Sequence, residues 1–203
     1  MKRLMVAAAV TFALAAPMAA SAQAWDSPLL MPPNMAEEFG IYLVDVHAGG
    51  VGVMGTWRAT GYNFGLRAGV AERDDAGIGI FGGIDYIGTI NRSTDEFPLD
   101  IDWVLGVGVG IGDGLRISAP LGLTGGHSFV GEGATFTPYV TPRVVLDAFT
   151  NSDTHDGLSL GFALDLGLDL KFASKMGGPL GGTLIRFGGT IGDRSAVALG
   201  LVF

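Results

Sequence analysis

The sequence predicts an all-β protein that forms a closed antiparallel transmembrane β-barrel of about 8–10 strands, with ten favoured. Three observations predict this fold class. Apolar residues alternate with small or charged residues over most of the chain, and glycine makes up 34 of the 203 residues. After residue 24, no uninterrupted apolar run approaches the roughly 20 residues that a membrane-spanning helix needs. The hydrophobic 48% of the chain is instead arranged by alternation, which is typical of strands with one apolar face.

The clearest strand is the stretch LSLGFALDLGLDLKF at residues 158–172. Every even-numbered position in it is leucine or phenylalanine, whereas the odd positions hold Ser, Gly, Ala, Asp and Lys. A helix turns about 100° per residue and would scatter the apolar positions around its axis, whereas a strand places them on one face. Strands of soluble proteins usually have only about 5–6 residues. A longer strand with an unbroken apolar face fits the hydrocarbon layer of a membrane, and the small and charged face would then line a lumen.

The same alternation recurs along the rest of the chain. It marks nine strands, at residues 51–57, 64–71, 76–89, 99–111, 115–123, 135–149, 158–172, 185–190 and 196–203. Residues 39–48 are a tenth candidate. If Ala48, Gly49 and Gly50 form a hairpin turn, the barrel has ten strands, whereas eight are expected if residues 39–58 form one bent strand.

The N-terminal region differs from the predicted barrel. Lys2 and Arg3 precede an apolar run, and small residues before Ala24 form an A-x-A-like cleavage site, so residues 1–24 are predicted to be a secretory signal peptide cleaved after Ala24. Residues 25–38 contain three prolines and no periodicity. They are expected to form an extended lead-in, with partial docking into a barrel mouth as the alternative. Residues 39–203 form the predicted barrel domain.

Composition excludes several kinds of partner. The chain has 12 basic and 20 acidic residues, and 10 against 20 once the signal peptide is removed, which argues against nucleic acid as a partner. It contains no cysteine, so it has neither disulfides nor thiolate metal sites. The histidines His47, His127 and His155 lack metal-ligand spacing. No metal and no cofactor are expected.

Twelve charged residues fall on the faces opposite the apolar ones and are predicted to point into the lumen. They are Arg58, Arg67, Asp85, Asp100, Asp102, Arg116, Arg143, Asp147, Asp165, Asp169, Lys171 and Arg186. Unpaired charges inside a narrow barrel would be costly, so these residues are expected to pair. Together with inward glycines they would plug the lumen and leave the protein a structural or surface-interaction role. The alternative is that they line a channel or transporter for small or apolar solutes.

The last strand, AVALGLVF, has apolar residues at alternate positions and ends on an aromatic residue. With this strand, the leader and the alternation over residues 39–203, the chain resembles small Gram-negative outer-membrane β-barrel proteins of the OmpA-like or opacity-type class. The resemblance implies an outer-membrane location, contact with its lipid and recognition by the barrel-assembly machinery; a monomer is expected. The assembly signal would be carried by Val197, Leu199, Leu201 and Phe203. The chain departs from that signal at Ala196 and Ala198, where a polar residue and a glycine are usual.

Other classes of function fit the sequence less well. His127, Ser128 and Glu132 form the one trio suited to a lipid hydrolase, but neighbouring residues of a strand point to opposite faces, so this chemistry would need a loop. The glycines of residues 106–110 lie within a strand pattern, and no helix follows them as a dinucleotide site requires. A soluble lipocalin-like barrel would turn the apolar face inward and leave an outer face of glycine and alanine. No enzymatic activity is expected.

The connections between the predicted strands differ in length. With ten strands and Phe203 at the periplasmic end, the longest connections, at residues 91–98, 125–134 and 174–182, fall at that same end. Outer-membrane barrels usually have short periplasmic turns, so this arrangement would be inverted.

Overall fold

The structure, a computed structural model, describes residues 25–35, 38–46, 50–59, 61–72, 77–112, 114–150, 157–173 and 183–203. The predicted signal peptide, residues 1–24, lies outside these ranges, as do His47 and His155. Among the described residues, no helix is long and apolar enough to cross a membrane.

The described residues form eleven strands in which buried and exposed positions alternate. The strands are β1 (Glu38–Asp45), β2 (Val51–Arg58), β3 (Phe64–Glu72), β4 (Ile78–Asn91), β5 (Asp100–Ile111), β6 (Leu115–Gly126), β7 (Phe129–Val130), β8 (Ala134–Thr150), β9 (Gly157–Phe172), β10 (Leu184–Gly192) and β11 (Ala196–Val202).

Ten of these strands form a closed antiparallel barrel. Each pairs with the next along the chain, and β1 pairs with β11, so the series of pairings returns on itself. β6 pairs directly with β8, and the two-residue β7 is an addition that pairs with β8. The predicted fold class and the favoured strand number are confirmed. The tenth candidate strand is β1, and Asp45 lies opposite Val51 in its pairing with β2.

The alternation separates an apolar outer face from a polar lumen. On β9, Leu160, Phe162 and Leu166 are 58%, 60% and 48% exposed, whereas Asp165 and Asp169 are 1% and 5% exposed. Exposed leucine, isoleucine, valine and aromatic side chains recur on the outer face of every long strand. The prediction that the even positions of this strand face outward is confirmed.

The two ends of the barrel differ in how the strands are connected. At one end, called the hairpin end, short connections join β1 to β2, β5 to β6 and β10 to β11. At the other end, called the terminal end, β1 begins and β11 finishes, and the longer intervals 92–99, 127–133 and 173–183 separate consecutive long strands. The longest connections therefore lie at the end that holds Phe203, as the sequence predicted.

Outward aromatic side chains gather at the terminal end. Trp57 meets Phe64 edge-on with ring centroids 6.5 Å apart, and Tyr62 lies 5.4 Å from Phe64. Tyr86 stacks on Trp103 with ring centroids 5.3 Å apart. Aromatic side chains at one level of a barrel are typical of a membrane–water interface, where an apolar ring and a polar group are both accommodated.

Residues 25–35, called the N-terminal segment below, lie inside the barrel and form much of its core. Trp25, Leu29 and Met31 are 0%, 0% and 1% exposed. Residues 25–38 carry no periodic signal and are predicted to be an extended lead-in, with partial docking into a barrel mouth as the alternative. The structure places the segment within the lumen.

The N-terminal segment runs the length of the lumen. Asp26 contacts Arg194 at the hairpin end, and the backbone N–H of Asn34 donates to Asp102 at the terminal end over 3.0 Å. Its backbone bends at Leu30 and Asn34, which have positive φ angles of 56° and 61°. This left-handed conformation is unfavourable for leucine, so the surrounding contacts must hold it.

Arginine in place of Leu166 tests the assignment of the outer face. Leu166 lies near the middle of β9 and points outward, so a guanidinium there would lie in hydrocarbon and should lower the free energy of unfolding by about 2–4 kcal/mol. Leu158, 75% exposed at the hairpin end of the same strand, is the matched control, and Leu158→Arg should cost about 0–1 kcal/mol. Urea unfolding in lipid vesicles, followed by tryptophan fluorescence, measures both. Equal costs at the two positions would contradict a membrane-embedded outer face.

Candidate functional site

The lumen is the candidate functional site because the structure buries most of the predicted inward charges there. Eleven of the twelve are buried: Arg58, Arg67, Asp85, Asp100, Asp102, Arg116, Arg143, Asp147, Asp165, Asp169 and Arg186. The twelfth, Lys171, is exposed near the terminal end of β9. These eleven inward positions could be assigned from the sequence because every second residue of a barrel strand points inward.

A quartet of charges holds the start of the N-terminal segment at the hairpin end. One carboxylate oxygen of Asp26 lies 3.1 Å from Arg116 of β6, and the other accepts from Arg194 in the β10–β11 connection. Asp147 of β8 accepts from both arginines and from the Ser118 hydroxyl. Two cations and two anions thus balance within a buried cluster, and one of the anions belongs to the segment.

The indole of Trp25 fits a niche made by two glycines of β5. A Cβ atom at Gly106 would lie 2.7 Å from the indole, and one at Gly108 would clash with its nitrogen. The guanidinium of Arg67 lies 4.2 Å from the ring centroid on the face of the indole. Alternating glycine in this strand therefore makes room for a side chain that comes from the segment, and a cation–π contact covers it.

Arg143 and Asp165 hold the backbone of the segment in the middle of the barrel. Arg143 donates to the carbonyl oxygens of Trp25 and Ser27 over 2.8 and 3.1 Å, and its Nε lies 3.0 Å from Asp165. Asp165 also accepts from the backbone N–H of Leu29 over 3.1 Å. The wall side chains thus pair with each other and with the segment at the same time.

Arg186 holds the segment nearer the terminal end, as Arg143 does in the middle of the barrel. It is 2% exposed, and its guanidinium lies 2.7 Å from Asp169 of β9 and 3.0 Å from the second carboxylate oxygen of Glu38 of β1. It also donates to the carbonyl oxygen of Leu30 and to the Tyr42 hydroxyl, over 3.2 and 3.3 Å. A planar guanidinium with five donors can satisfy this many acceptors at once, which lysine cannot do.

Two further ion pairs lie at the terminal end of the lumen. Arg58 pairs with Asp85 and donates to the backbone carbonyl of Asn63 over 2.8 Å. Asp102 accepts from Arg92 over 2.6 Å, and the Arg92 side chain is 43% exposed. This outer pair marks the boundary between the buried network and solvent.

Three members of the network were not predicted from the sequence. Asp26 lies in a segment without periodicity, and Arg194 lies in a connection, so strand parity could not assign either of them. Glu38 lies one residue before the predicted start of β1, and extending the alternation by one position would have placed it inward.

Little space remains inside the barrel. Among the described residues, a lumen cavity lined by Leu29, Met31, Arg58 and Asp85 has a volume of about 10 Å³, roughly what one water molecule needs. Two larger hollows, of about 640 and 810 Å³, lie on the outer surface among apolar side chains. Among the described residues, the lumen is thus occupied by a separate segment as well as by wall side chains.

The structure also gives the contacts of the residues considered for catalysis and metal binding. The Ser128 hydroxyl lies 2.8 Å from the Thr137 hydroxyl, and the His127 ring packs edge-on against Phe129 at 4.7 Å. Among the described residues, no group of three histidine or acidic side chains is placed to hold a metal ion.

Comparison with known proteins adds two distant structural likenesses. No family model and no curated protein matches the chain. The KdgM porin in complex with disordered oligogalacturonate is similar with a TM-score of 0.36 and 10% identity, over 83% of this chain and 98% of that one. OccK11 (OpdR) of Pseudomonas aeruginosa is similar with a TM-score of 0.21 and 13% identity, over 83% of this chain and 62% of that one. Because both scores and both identities are low, the function proposed below rests on this chain's own residues.

Removal of Arg186 tests how much the lumen network contributes to the free energy of unfolding. Arg186→Met leaves Glu38 and Asp169 buried without their cation, so the free energy of unfolding should fall by about 3–5 kcal/mol. Lys171→Met, which removes an exposed charge near the terminal end of β9, is the matched control and should cost about 0–1 kcal/mol. Urea unfolding of the refolded barrels measures both values. If the network did not stabilise the fold, the two variants would have the same free energy of unfolding.

Proposed function

We propose that this protein is an integral β-barrel of a bacterial outer membrane that acts as a channel for small solutes, and that the N-terminal segment closes its lumen in the conformation described. The observation that carries the proposal is the filling of a polar lumen by a separate segment inside a barrel with an apolar outer face. This combines the plugged lumen expected from the sequence with its channel alternative.

The outer face supports the membrane assignment. Leucine, isoleucine and valine side chains such as Leu43 (61%), Ile80 (60%) and Leu199 (52%) are exposed on strands all around the barrel. Monomeric soluble proteins rarely expose apolar patches larger than a few hundred Å². A closed barrel also satisfies the backbone of its strands internally, which is the condition for a sheet to lie in hydrocarbon.

The glycine positions in the wall support a channel. Gly106 and Gly108 face Trp25, and Gly188 faces Leu30, so the wall leaves this volume to the segment. A barrel whose lumen is filled only for stability could use larger wall side chains for this volume and would not need a separate segment. If the segment leaves, an aqueous path lined by glycine, arginine and aspartate opens, which is the kind of lining that conducts polar solutes.

Phe203 supports recognition by the barrel-assembly machinery. Phe203 is 69% exposed, and its backbone exchanges two hydrogen bonds with Phe39, 2.8 and 3.0 Å long. Val197, Leu199 and Leu201 point outward on the same strand, as the proposed assembly signal requires. The aromatic ring is therefore available for recognition, while the backbone closes the barrel.

Phe203→Ala should impair assembly in cells while export continues. The change keeps the backbone bonds to Phe39 and removes only the ring that the assembly machinery would recognise. Processed protein should then accumulate in the periplasm, and the heat-modifiable band in unboiled SDS gels should decrease. Phe203→Tyr, which keeps an aromatic ring, is the control and should assemble normally. Full assembly of the alanine variant would remove the assembly-signal argument.

Conductance in planar bilayers tests the channel. Asp26→Lys places a third cation between Arg116 and Arg194 and should expel the segment, so steady conductance steps are expected where the wild type stays closed. Asp95→Lys makes the same charge change on an exposed residue of the β4–β5 connection and should stay closed.

A reversible lock completes this test. A Cβ atom at Gly188 would lie 3.2 Å from the Cβ of Pro28, close to the roughly 3.5–4.5 Å of disulfides, and the chain has no cysteine of its own. Asp26→Lys combined with Pro28→Cys and Gly188→Cys should be closed when oxidised and open when reduced. Correctly folded Asp26→Lys barrels that never conduct would contradict the channel and favour the structural or surface-interaction role.

A further inference from the structure

We infer that the lumen is a binding site for a peptide chain, and that the N-terminal segment, which bends at Leu30 and Asn34, is its resident occupant. The inference rests on the proposed function in one respect, namely that the segment can leave the lumen. It assigns to the open barrel a class of ligand, a polypeptide strand recognised mainly through its backbone.

The wall recognises the carbonyl oxygens of the segment one after another. Three arginines and a threonine, on four different strands, donate to six of the seven carbonyls between residues 25 and 31. The hydrogen bonds are Arg143 to Trp25 (2.8 Å) and Ser27 (3.1 Å), Arg67 to Pro28 (3.4 Å) and Leu29 (2.6 Å), Arg186 to Leu30 (3.2 Å), and Thr124 to Met31 (2.8 Å).

The wall also accepts from the backbone of the segment. Asp165 accepts from the N–H of Leu29 over 3.1 Å, and Asp102 from the N–H of Asn34 over 3.0 Å. A backbone buried away from water must have such partners. Here they are supplied by wall side chains of different strands, so the lumen presents a series of donors and acceptors to a peptide backbone.

Two positions give the site sequence preference. Asp26 is held between Arg116 and Arg194, and both arginines also pair with Asp147. The Trp25 indole occupies the niche made by the glycines of β5 and lies under Arg67. The favoured ligand is therefore a peptide that carries an aromatic residue followed by an acidic one at the end that reaches the hairpin end of the barrel.

Backbone recognition makes the remaining positions tolerant. Carbonyl and N–H groups are common to all residues, apart from the N–H that proline lacks, so the contacts between residues 27 and 31 do not by themselves require these side chains. Side-chain contacts add to the backbone bonds, since Leu30 lies against the Gly188 position and the Ser27 hydroxyl donates to the Met54 sulfur over 3.6 Å.

The experiment uses the full chain with its own segment expelled. A fluorescently labelled synthetic peptide of residues 25–35, WDSPLLMPPNM, is added to the Asp26→Lys barrel in detergent, and binding is followed by anisotropy. Saturable binding is expected. A peptide carrying Asp26→Lys should bind at least about tenfold more weakly, since it loses the ion pairs with Arg116 and Arg194.

The locked barrel is the matched control. The variant with Pro28→Cys, Gly188→Cys and Asp26→Lys should bind no peptide when oxidised and should recover binding when reduced. If the Asp26→Lys chain does not fold, a barrel with residues 25–35 deleted, checked by heat-modifiable migration, takes its place in the same assay.

The outcomes separate this inference from the proposed function. Conductance that the peptide blocks supports both. Conductance without saturable peptide binding overturns the peptide site and leaves the channel. Peptide binding to a barrel that does not conduct overturns the channel and leaves the site. Equal binding of the native, the Asp26→Lys and a scrambled peptide overturns the recognition described here.

Discussion

A sheet placed in hydrocarbon cannot leave an edge unpaired, because no water is present to satisfy its N–H and C=O groups. In this protein the pairing of β1 with β11 meets that requirement, and the reciprocal hydrogen bonds of Phe39 and Phe203 complete it at the terminal end. Closure has a second consequence, which is an enclosed lumen. The polar character of the lumen, its charges and the position of the N-terminal segment all follow from the need to fill or hydrate that space.

Several lumen arginines pair with acceptors from two sources, the barrel wall and the N-terminal segment. Arg143 and Arg186 each contact a wall carboxylate and a carbonyl oxygen of the segment. A buried ion pair gains little net stability over an apolar contact, but the loss of one partner is costly. The network therefore fixes where the segment lies more than it raises the overall stability of the barrel. Arginine suits this task because its fork of donors reaches several acceptors in one plane.

Glycine has a specific use in this wall. Inward glycines lie beneath aromatic side chains, so that Tyr139 covers Gly167, Tyr42 covers Gly200 and Phe81 covers Gly69. In each case a Cβ atom would collide with the ring. The glycines of β5 do the same for Trp25 of the segment. The inward glycines thus leave space in a narrow lumen for a large side chain from a neighbouring position. Trp25 of the segment occupies such space in the same way as the aromatic side chains of the wall do.

The sequence by itself determined the architecture, because the constraint behind it is local and periodic. A period of two over long stretches requires strands, and an unbroken apolar face such as that of β9 favours a hydrocarbon neighbour, so ten strands, their faces and eleven buried lumen charges could be predicted from parity. Lys171 obeys the same parity but lies at the end of its strand, where an inward direction no longer means burial.

Tertiary structure alone decided the rest. Nothing periodic in residues 25–35 shows that they enter the lumen, and Asp26 meets Arg116 and Arg194 across 90 and 168 positions of the chain. Such contacts depend on how the closed barrel brings distant strands around one axis, and no local pattern of residues encodes that.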